Sequence, residues 1–303
     1  NEKDISTSKV NKFLIFKKNK CEDRELSIRK IFSTTKNRGE IKYLFKEFTS
    51  VEENIIEETL NLNGSKIKVK RTEGIDINYD NKNIFIKQKY IKDWIVIFES
   101  DLKNININYT GLTEKDEKHN GRFNKKGLTG CLNFIEINFI QNVNIHHENS
   151  NCEDSINIRN SKGNIKNLSI KNSFADALDI DFSDIIIENV IIDKADNDCV
   201  DFSFGKYKIK NTFLNNCEDK SVSLGERSTL EIENASVFNS NIALVSKDSS
   251  ILDVKIIDHK NINICASAYN KKQEFDGAII FLKDNKCKIE SINKDVFSEV
   301  IFK

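Results

Sequence analysis

Proline is absent from all 303 residues, and so is methionine. Average usage of about 5% would place roughly 15 prolines in a chain of this length, so the turns here fall to other residues, mainly Asn and Gly. The missing methionine includes the initiator, and a processed or partial chain is the expectation. Neither charge sign is in excess, with 47 Lys plus Arg against 47 Asp plus Glu. A protein that grips nucleic acid without regard to sequence carries a basic surplus, so no nucleic-acid partner is expected. No run approaches the ~18 apolar residues of a membrane span, and no signal-peptide pattern opens the chain. The cysteines number seven, and none falls in a metal-type Cys-x-x-Cys.

What is present is a repeat. Ile156, Leu178, Val200, Val222, Leu244 and Ala266 follow one another at a constant step of 22. One position earlier runs a column of small residues: Ser155, Ala177, Cys199, Ser221, Ala243 and Cys265. Two positions after the first column come Ile158, Ile180, Phe202, Leu224, Ser246 and Ala268. A second apolar pair follows a turn in each repeat, as in Leu168 with Ile170, Val190 with Ile192, Thr212 with Leu214, and Ala235 with Val237. A fixed period built from alternating apolar positions is the signature of a solenoid. Short strands with no helical spacing between them describe one coil of a single-stranded, right-handed parallel β-helix, each coil lying roughly 4.8 Å from the next. A leucine-rich repeat has a similar period, but its Leu-x-x-Leu-x-Leu frame is missing. The unbroken register argues against residues lost within 152–267.

The rest of the chain is read around that repeat. Residues 1–54 are irregular and are expected to cap the solenoid's open end, with Phe13–Phe16 as a strand and Glu40–Phe48 as a helix. Residues 55–303 are expected to form the β-helix, strictest over 152–267. The strand-like runs from Leu60 to Ile107 are read as earlier, looser coils. The charged stretch Thr113–Lys126 is read as a flap leaving the solenoid. Ala278–Leu282 and Lys288–Ile292 supply late strands, and Val296–Phe302 closes the far end. Cys199 and Cys265 share a column three coils apart, roughly 14 Å at ladder spacing and beyond disulfide reach. Most cysteines are therefore expected to be free thiols filling the core.

Alternation within the strands selects the candidate chemistry. With Leu178, Ile180 and Phe182 facing the core, Asp179 and Asp181 face outward. One outward column is then Asn157, Asp179, Asp201, Ser223 and Val245, and its neighbour is Arg159, Asp181, Ser203, Gly225 and Lys247. Like charges stacked across strands repel, so Asp179, Asp181 and Asp201 need a cation, a shared proton or a basic partner. Three readings follow: an acidic face neutralised by Arg159, a Ca²⁺ or sugar site centred on Asp179 and Asp201, or a pair of carboxyls for glycoside cleavage. As one electrostatic unit in solvent, the three carboxylates would repel, and Asp201→Asn would stabilise the protein at neutral pH. A further column, Asp154, Asp176, Asp198 and Lys220, precedes the strand, where carboxylates normally accept from nearby backbone N–H groups. Glu226, Arg227 and Lys247 flank the later coils and are candidate groove residues. His146-His147-Glu148 is read as a turn whose side chains diverge, a poor metal site.

The segments "DALDIDFS", "NDCVDFSFG", "DKSVSLGERS", "NSNIALVSKDSS" and "ASAYNKKQEFDGA" resemble right-handed β-helix proteins of the pectate-lyase-like superfamily. They look closest to bacterial β-helix regions that accompany spore-coat-type, kinase-fold proteins. The resemblance implies a polysaccharide or glycan partner held on the outer strand face, and favours an extracellular or cell-surface setting. It carries over no individual residue, because neither the polygalacturonase motifs nor the epimerase Tyr-Gly-Phe-Asp-Pro-His motif is present. Carbohydrate recognition is the expected function. A polysaccharide lyase or hydrolase at the acidic cluster, and a non-catalytic solenoid presenting an interaction surface, are the alternatives. No cofactor is expected beyond the Ca²⁺ considered above.

Overall fold

The computed structural model describes residues 54–62, 64–113, 122–124 and 126–303. The expected cap, with its strand and helix, and most of the 113–126 loop lie outside the described residues. The strands run β1 (Ile55–Leu62), β2 (Ser65–Thr72), β3 (Ile75–Tyr79), β4 (Asn83–Gln88), β5 (Ile95–Thr110) and β6 (Gly130–Glu148). Then come β7 (Asp154–Arg159), β8 (Lys162–Ser173), β9 (Asp176–Asp181), β10 (Asp184–Ala195), β11 (Val200–Ser203) and β12 (Lys206–Cys217). The last are β13 (Lys220–Gly225), β14 (Thr229–Lys247), β15 (Ile251–Tyr269), β16 (Ile279–Asn285), β17 (Ile292–Lys294) and β18 (Glu299–Phe302). Together they form a parallel β-solenoid of about 10 turns with ~22-residue coils. Among the described residues no helix is long and apolar enough to cross a membrane.

The register is the one the repeat dictates. On the first face Ile156 pairs Leu178, Leu178 pairs Val200, Val200 pairs Val222, and Val222 pairs Leu244. All five side chains are fully buried. Strands β8, β10 and β12 and the first halves of β14 and β15 build the remaining faces, again in parallel register. Turns between faces are made by residues in the left-handed region. One such column is Asn149, Asn172, Lys194, Asn216, Asn239 and Asn261, with φ between 51° and 69°. Asn tolerates that conformation better than most side chains. A separate Asn ladder links Asn83, Asn106, Asn144, Asn167, Asn189, Asn211 and Asn234, each Nδ2 donating to the preceding Oδ1 at 2.7–3.0 Å. In a chain without proline, these amides fix the corners.

The strand layout and the cysteine pairing depart from the sequence reading in several places. The first strands are not coils: β1 pairs β2, β2 pairs β5 and β3 pairs β4, all antiparallel. Short turns at Gly64 and around Gly74 return the chain on itself before it can travel round a coil, and parallel stacking starts with β4 on β5. His146 and His147 end strand β6, not a turn. Their side chains do diverge: His147 is buried against the Tyr109 ring at 4.3 Å, while His146 Nδ1 meets Ser169 Oγ. Residues 289–291 form a 3-10 turn ahead of the short β17.

Cysteine is a further correction. Six of the seven are joined as Cys131–Cys152, Cys199–Cys217 and Cys265–Cys287, with Cα separations of 5.5, 5.4 and 5.7 Å. The thiols do sit in or beside the core, but they pair between columns, not within one. The sequence carries a signal for the second bridge: 18 residues separate Ser155 from Ser173, hydrogen-bonded at 2.7 Å, and Cys199 from Cys217. Ala177 and Ala195, at the corresponding positions of the coil between, are both buried. Small residues of one kind face each other across the coil, and two cysteines there are in bonding range.

Two outcomes test this architecture. Val200→Ala is expected to lower unfolding free energy by about 1–3 kcal/mol through lost burial and a residual cavity. Ile191→Ala, exposed on another face, is expected to stay within about 0.5 kcal/mol; equal effects in denaturant melts would refute the buried stack. Replacing Cys199 and Cys217 together by Ser is expected to cost about 2–4 kcal/mol, the usual range for releasing a short cross-linked loop. Unchanged denaturation midpoints with and without reductant would restore the free-thiol reading.

Candidate functional site

The first face carries its outward columns as the alternation requires. Asp179 pairs Asp201 and Asp181 pairs Ser203 across β9 and β11, while Asn157 and Arg159 on β7 sit in register with Asp179 and Asp181. The columns are not a flat solvent-facing surface, however. Asp179, Asp181, Asp201 and Arg159 are half-buried, and Asn157, Ser223, Val245 and Lys247 are buried. Lys247 lies close over Gly225: a Cβ added there would meet its Cε at 2.8 Å and push the lysine chain aside.

The two aspartate columns resolve their charge differently. In the turn column, Asp176 Oδ1 accepts from the Asp198 N–H at 2.9 Å and from Asn197 Nδ2 at 2.5 Å. Asp198 Oδ1 accepts from Lys220 N–H and Nζ, each at 3.2 Å. These are backbone-bonded turn carboxylates, as the sequence suggests. Asp154, at the head of the column, keeps one buried carboxylate oxygen without a partner. In the outward column, Asp201 Oδ1 lies 3.6 Å from Lys247 Nζ, which also donates to Ser223 Oγ at 2.9 Å. Among the described residues Asp179 has only the Asn157 amide as a hydrogen-bond partner, at 3.2 Å.

Burial pushes the Asp179 carboxyl well above the usual range, and the charges of Asp154, Asp181, Asp201 and Asp176 push it further. Burial, then Asp201 and Glu226, raise Asp181 to about 6 against the opposing pull of Arg159 and Lys272. Asp154 and Asp198 are held at about 7, chiefly by burial. Several of these groups therefore retain protons near neutrality and can donate them. Their carboxylate oxygens are the hard donors that a cation such as Ca²⁺ prefers, but among the described residues no three of them lie within 4.8 Å of one another, those of Asp179 and Asp201 included.

Glu226 and Lys247 are tied into the face itself. Glu226 is buried, accepts from Ser203 Oγ at 2.5 Å and pairs with Lys272. Lys272 comes from the 270–277 loop, which is anchored by Asp248: its Oδ1 accepts the Lys271 and Lys272 N–H groups at 2.7 and 2.8 Å. The same loop brings Phe275 against Phe204, ring centroids 6.2 Å apart, and the Arg227 guanidinium lies 5.4 Å from the Phe275 ring.

Phe182 does not face the core. It and Phe204 adopt φ of +49° and +51°, and their rings stack at 4.8 Å with an interplanar angle of 6°, 52% and 41% exposed. Alternation stops at Asp181 because the left-handed turn swings the next side chain outward. The same turn column holds Asn160 and Glu226, also left-handed, so the polar members marked an outward turn that the sequence reading passed over. The rings border an open groove of about 670 Å³ lined also by Lys162, Lys206 and Arg227. No protein family, curated protein or solved structure matches the chain.

A pH test follows from these shifts. A carboxyl whose folded pKa exceeds its unfolded value favours folding while both states are protonated, and that contribution is lost as pH rises through the folded pKa. Unfolded Asp titrates near 3.9, so the penalty grows from about pH 4 upward. Asp201 has Lys247 for a partner, which removes the reason to expect stabilisation from Asp201→Asn; the uncompensated position is Asp179. With chelator present, Asp179→Asn is expected to raise the melting temperature at pH 8, less at pH 5 and not at all at pH 3.5. A pH-independent difference between variant and wild type would show that charge is not the cause.

Proposed function

We propose that the chain binds polysaccharide along the first face and the adjoining groove. The observation that carries this reading is the exposed Phe182–Phe204 stack. A bulky residue at positive φ is a genuine outlier, left-handed backbone costs a β-carbon residue roughly 1–2 kcal/mol, and such strain concentrates at functional sites. Here it occurs on two consecutive coils and turns apolar rings toward water. The C–H face of a pyranose ring packs well on an aromatic plane, while its hydroxyl groups need the donors and acceptors that Asp181, Arg159 and Arg227 offer beside it. Ladder spacing near 4.8 Å stacks the two rings on each other, and their exposed edges and outer faces border the groove. Resemblance to the pectate-lyase-like superfamily supports the same ligand class, and three disulfides favour an oxidising, extracellular setting.

A second reading, glycoside cleavage, is favoured by one specific feature. Asp181, raised to about 6, immediately precedes Phe182 and lies near the ionised Glu226, whose pKa is lowered despite its burial, by its bonds to Lys272 and Ser203. A proton-holding carboxyl beside an ionised one is the division of labour that acid–base cleavage requires.

Retardation in native gels cast with a panel of neutral and acidic polysaccharides tests the first reading. At least one polymer is expected to slow the wild type, and Phe204→Ala is expected to abolish the shift while Ile191→Ala leaves it intact. If no polymer retards the protein, or if Phe204→Ala behaves as wild type, the rings are not a sugar platform. Release of reducing or unsaturated ends from the retarding polymer, lost in Asp181→Asn, separates cleavage from binding alone.

A further inference from the structure

Away from the acidic face, the inward column on the far side of the coil runs Ile170, Ile192, Leu214, Val237 and then His259. The first four are buried aliphatic residues; the fifth is an imidazole in the place of an Ile, Leu or Val. Its Nε2 is buried and has no hydrogen-bond partner among the described residues. Placing an unpaired ring nitrogen where a methyl group would serve is unfavourable, and a buried orphan of this kind calls for an explanation such as an ion. Its surroundings supply one. An imidazole nitrogen of His259 and the sulfurs of Cys265 and Cys287 all lie within 4.8 Å of one another. Cys265 belongs to the small inward column of β15, and Cys287 follows β16 on the next coil, so the three come together only through coil stacking.

We infer that His259, Cys265 and Cys287 form a binding site for a thiophilic divalent cation of the Zn²⁺ class, closed while the Cys265–Cys287 disulfide stands and opened by its reduction. The chemistry is balanced by a dithiol reductant. One of its thiolates attacks a sulfur of the bridge, the S–S bond breaks, two electrons enter the protein, and the reductant leaves as its own disulfide. Two thiols remain beside the imidazole. The metal then displaces the two thiol protons and takes two sulfurs and one nitrogen, a ligand set that leaves a fourth tetrahedral position open. Soft sulfur donors with imidazole select this class over Ca²⁺ or Mg²⁺, which prefer oxygen. The site is thus chemically distinct from the carboxylates of the first face.

The test uses the full chain, reduced with a phosphine that is converted to its oxide by water, and titrated with Co²⁺ without oxygen. Reduced wild type is expected to develop a sulfur-to-cobalt charge-transfer band that saturates at about one ion per chain and is erased by Zn²⁺. The unreduced protein is expected to show none. His259→Ala, which puts a small apolar residue into an apolar column, is expected to lose the band or to need at least about tenfold more Co²⁺ to saturate, a cost near 1.4 kcal/mol. Cys287→Ser, at a half-buried position, is the second variant, and it too is expected to lose the band. Absence of a band in reduced wild type overturns the inference. So does a band that survives both substitutions unchanged, which would assign the metal to the thiols of the other bridges.

Discussion

Register between successive coils is the constraint on which everything else in this protein depends. A parallel ladder places each residue directly over its equivalent one coil earlier, and a slip of one residue would send the whole inward set to the outside. The protein shows how strictly this is enforced where a residue has been inserted. Lys206 pairs Thr229, a step of 23, whereas Phe202 pairs Leu224 at a step of 22. The extra residue is absorbed between them, at Glu226 and Arg227, which are both left-handed where the preceding coil has only Phe204. Ladders on either side of the turn continue undisturbed. This insertion sits at a corner, which has no register to lose; in the earlier coils the ladder itself shifts, between Leu102 and Lys103 of β5 and between Phe139 and Asn144 of β6.

The same stacking that makes an apolar column favourable makes a charged one costly, and the outward columns show several solutions. Asn columns gain, since each amide donates to one neighbour and accepts from the other. Corner charges alternate, as with Glu188 and Lys210, 3.6 Å apart. Turn aspartates spend an oxygen on the backbone N–H of the next coil. Asp179 accepts from the Asn157 amide, but its other neighbours along and across the strands include Asp181, Asp201 and, one column over, Asp176. An Asn at this position would extend the amide ladder begun by Asn157. A carboxylate there works against folding at neutral pH, because burial and the neighbouring aspartates hold its pKa high.

Much of this was legible from spacing alone. The buried stack through Val200, the outward placement of Asp179 and Asp201 and the backbone role of the turn aspartates follow from one period and one alternation rule. What escaped the sequence did so for definite physical reasons. Phe182 was assigned to the core because alternation was extended one residue past the strand, where a positive φ reverses the side-chain direction. The cysteine pairs were missed because distances were compared down a column, while the bridges run between columns. The first strands pair antiparallel because turns at Gly64 and Gly74 act before any repeat is established. The burial of Lys247 and Glu226 depends on Gly225 and on a loop folded back from Asp248, contacts between segments with no shared periodicity.

The placement of the Cys199–Cys217 bridge ties these points together. It closes the coil that contains β11, the four-residue strand bearing Asp201, and the turn bearing Phe204. That coil carries a left-handed aromatic residue, at roughly 1–2 kcal/mol, together with a half-buried aspartate directly over Asp179. Its neighbour on β9 bears the same two burdens, in Phe182 and Asp179, with Ala177 and Ala195 at the equivalent bridging positions. A cross-link over a loop of this length contributes about 3 kcal/mol, enough to offset the strain of the aromatic turn in its own coil. Because adjacent coils share a hydrogen-bonded ladder, a bridge in one resists opening in both. The covalent bond thus stands one step along the axis from the most strained groups, where it holds their geometry without entering the face they present.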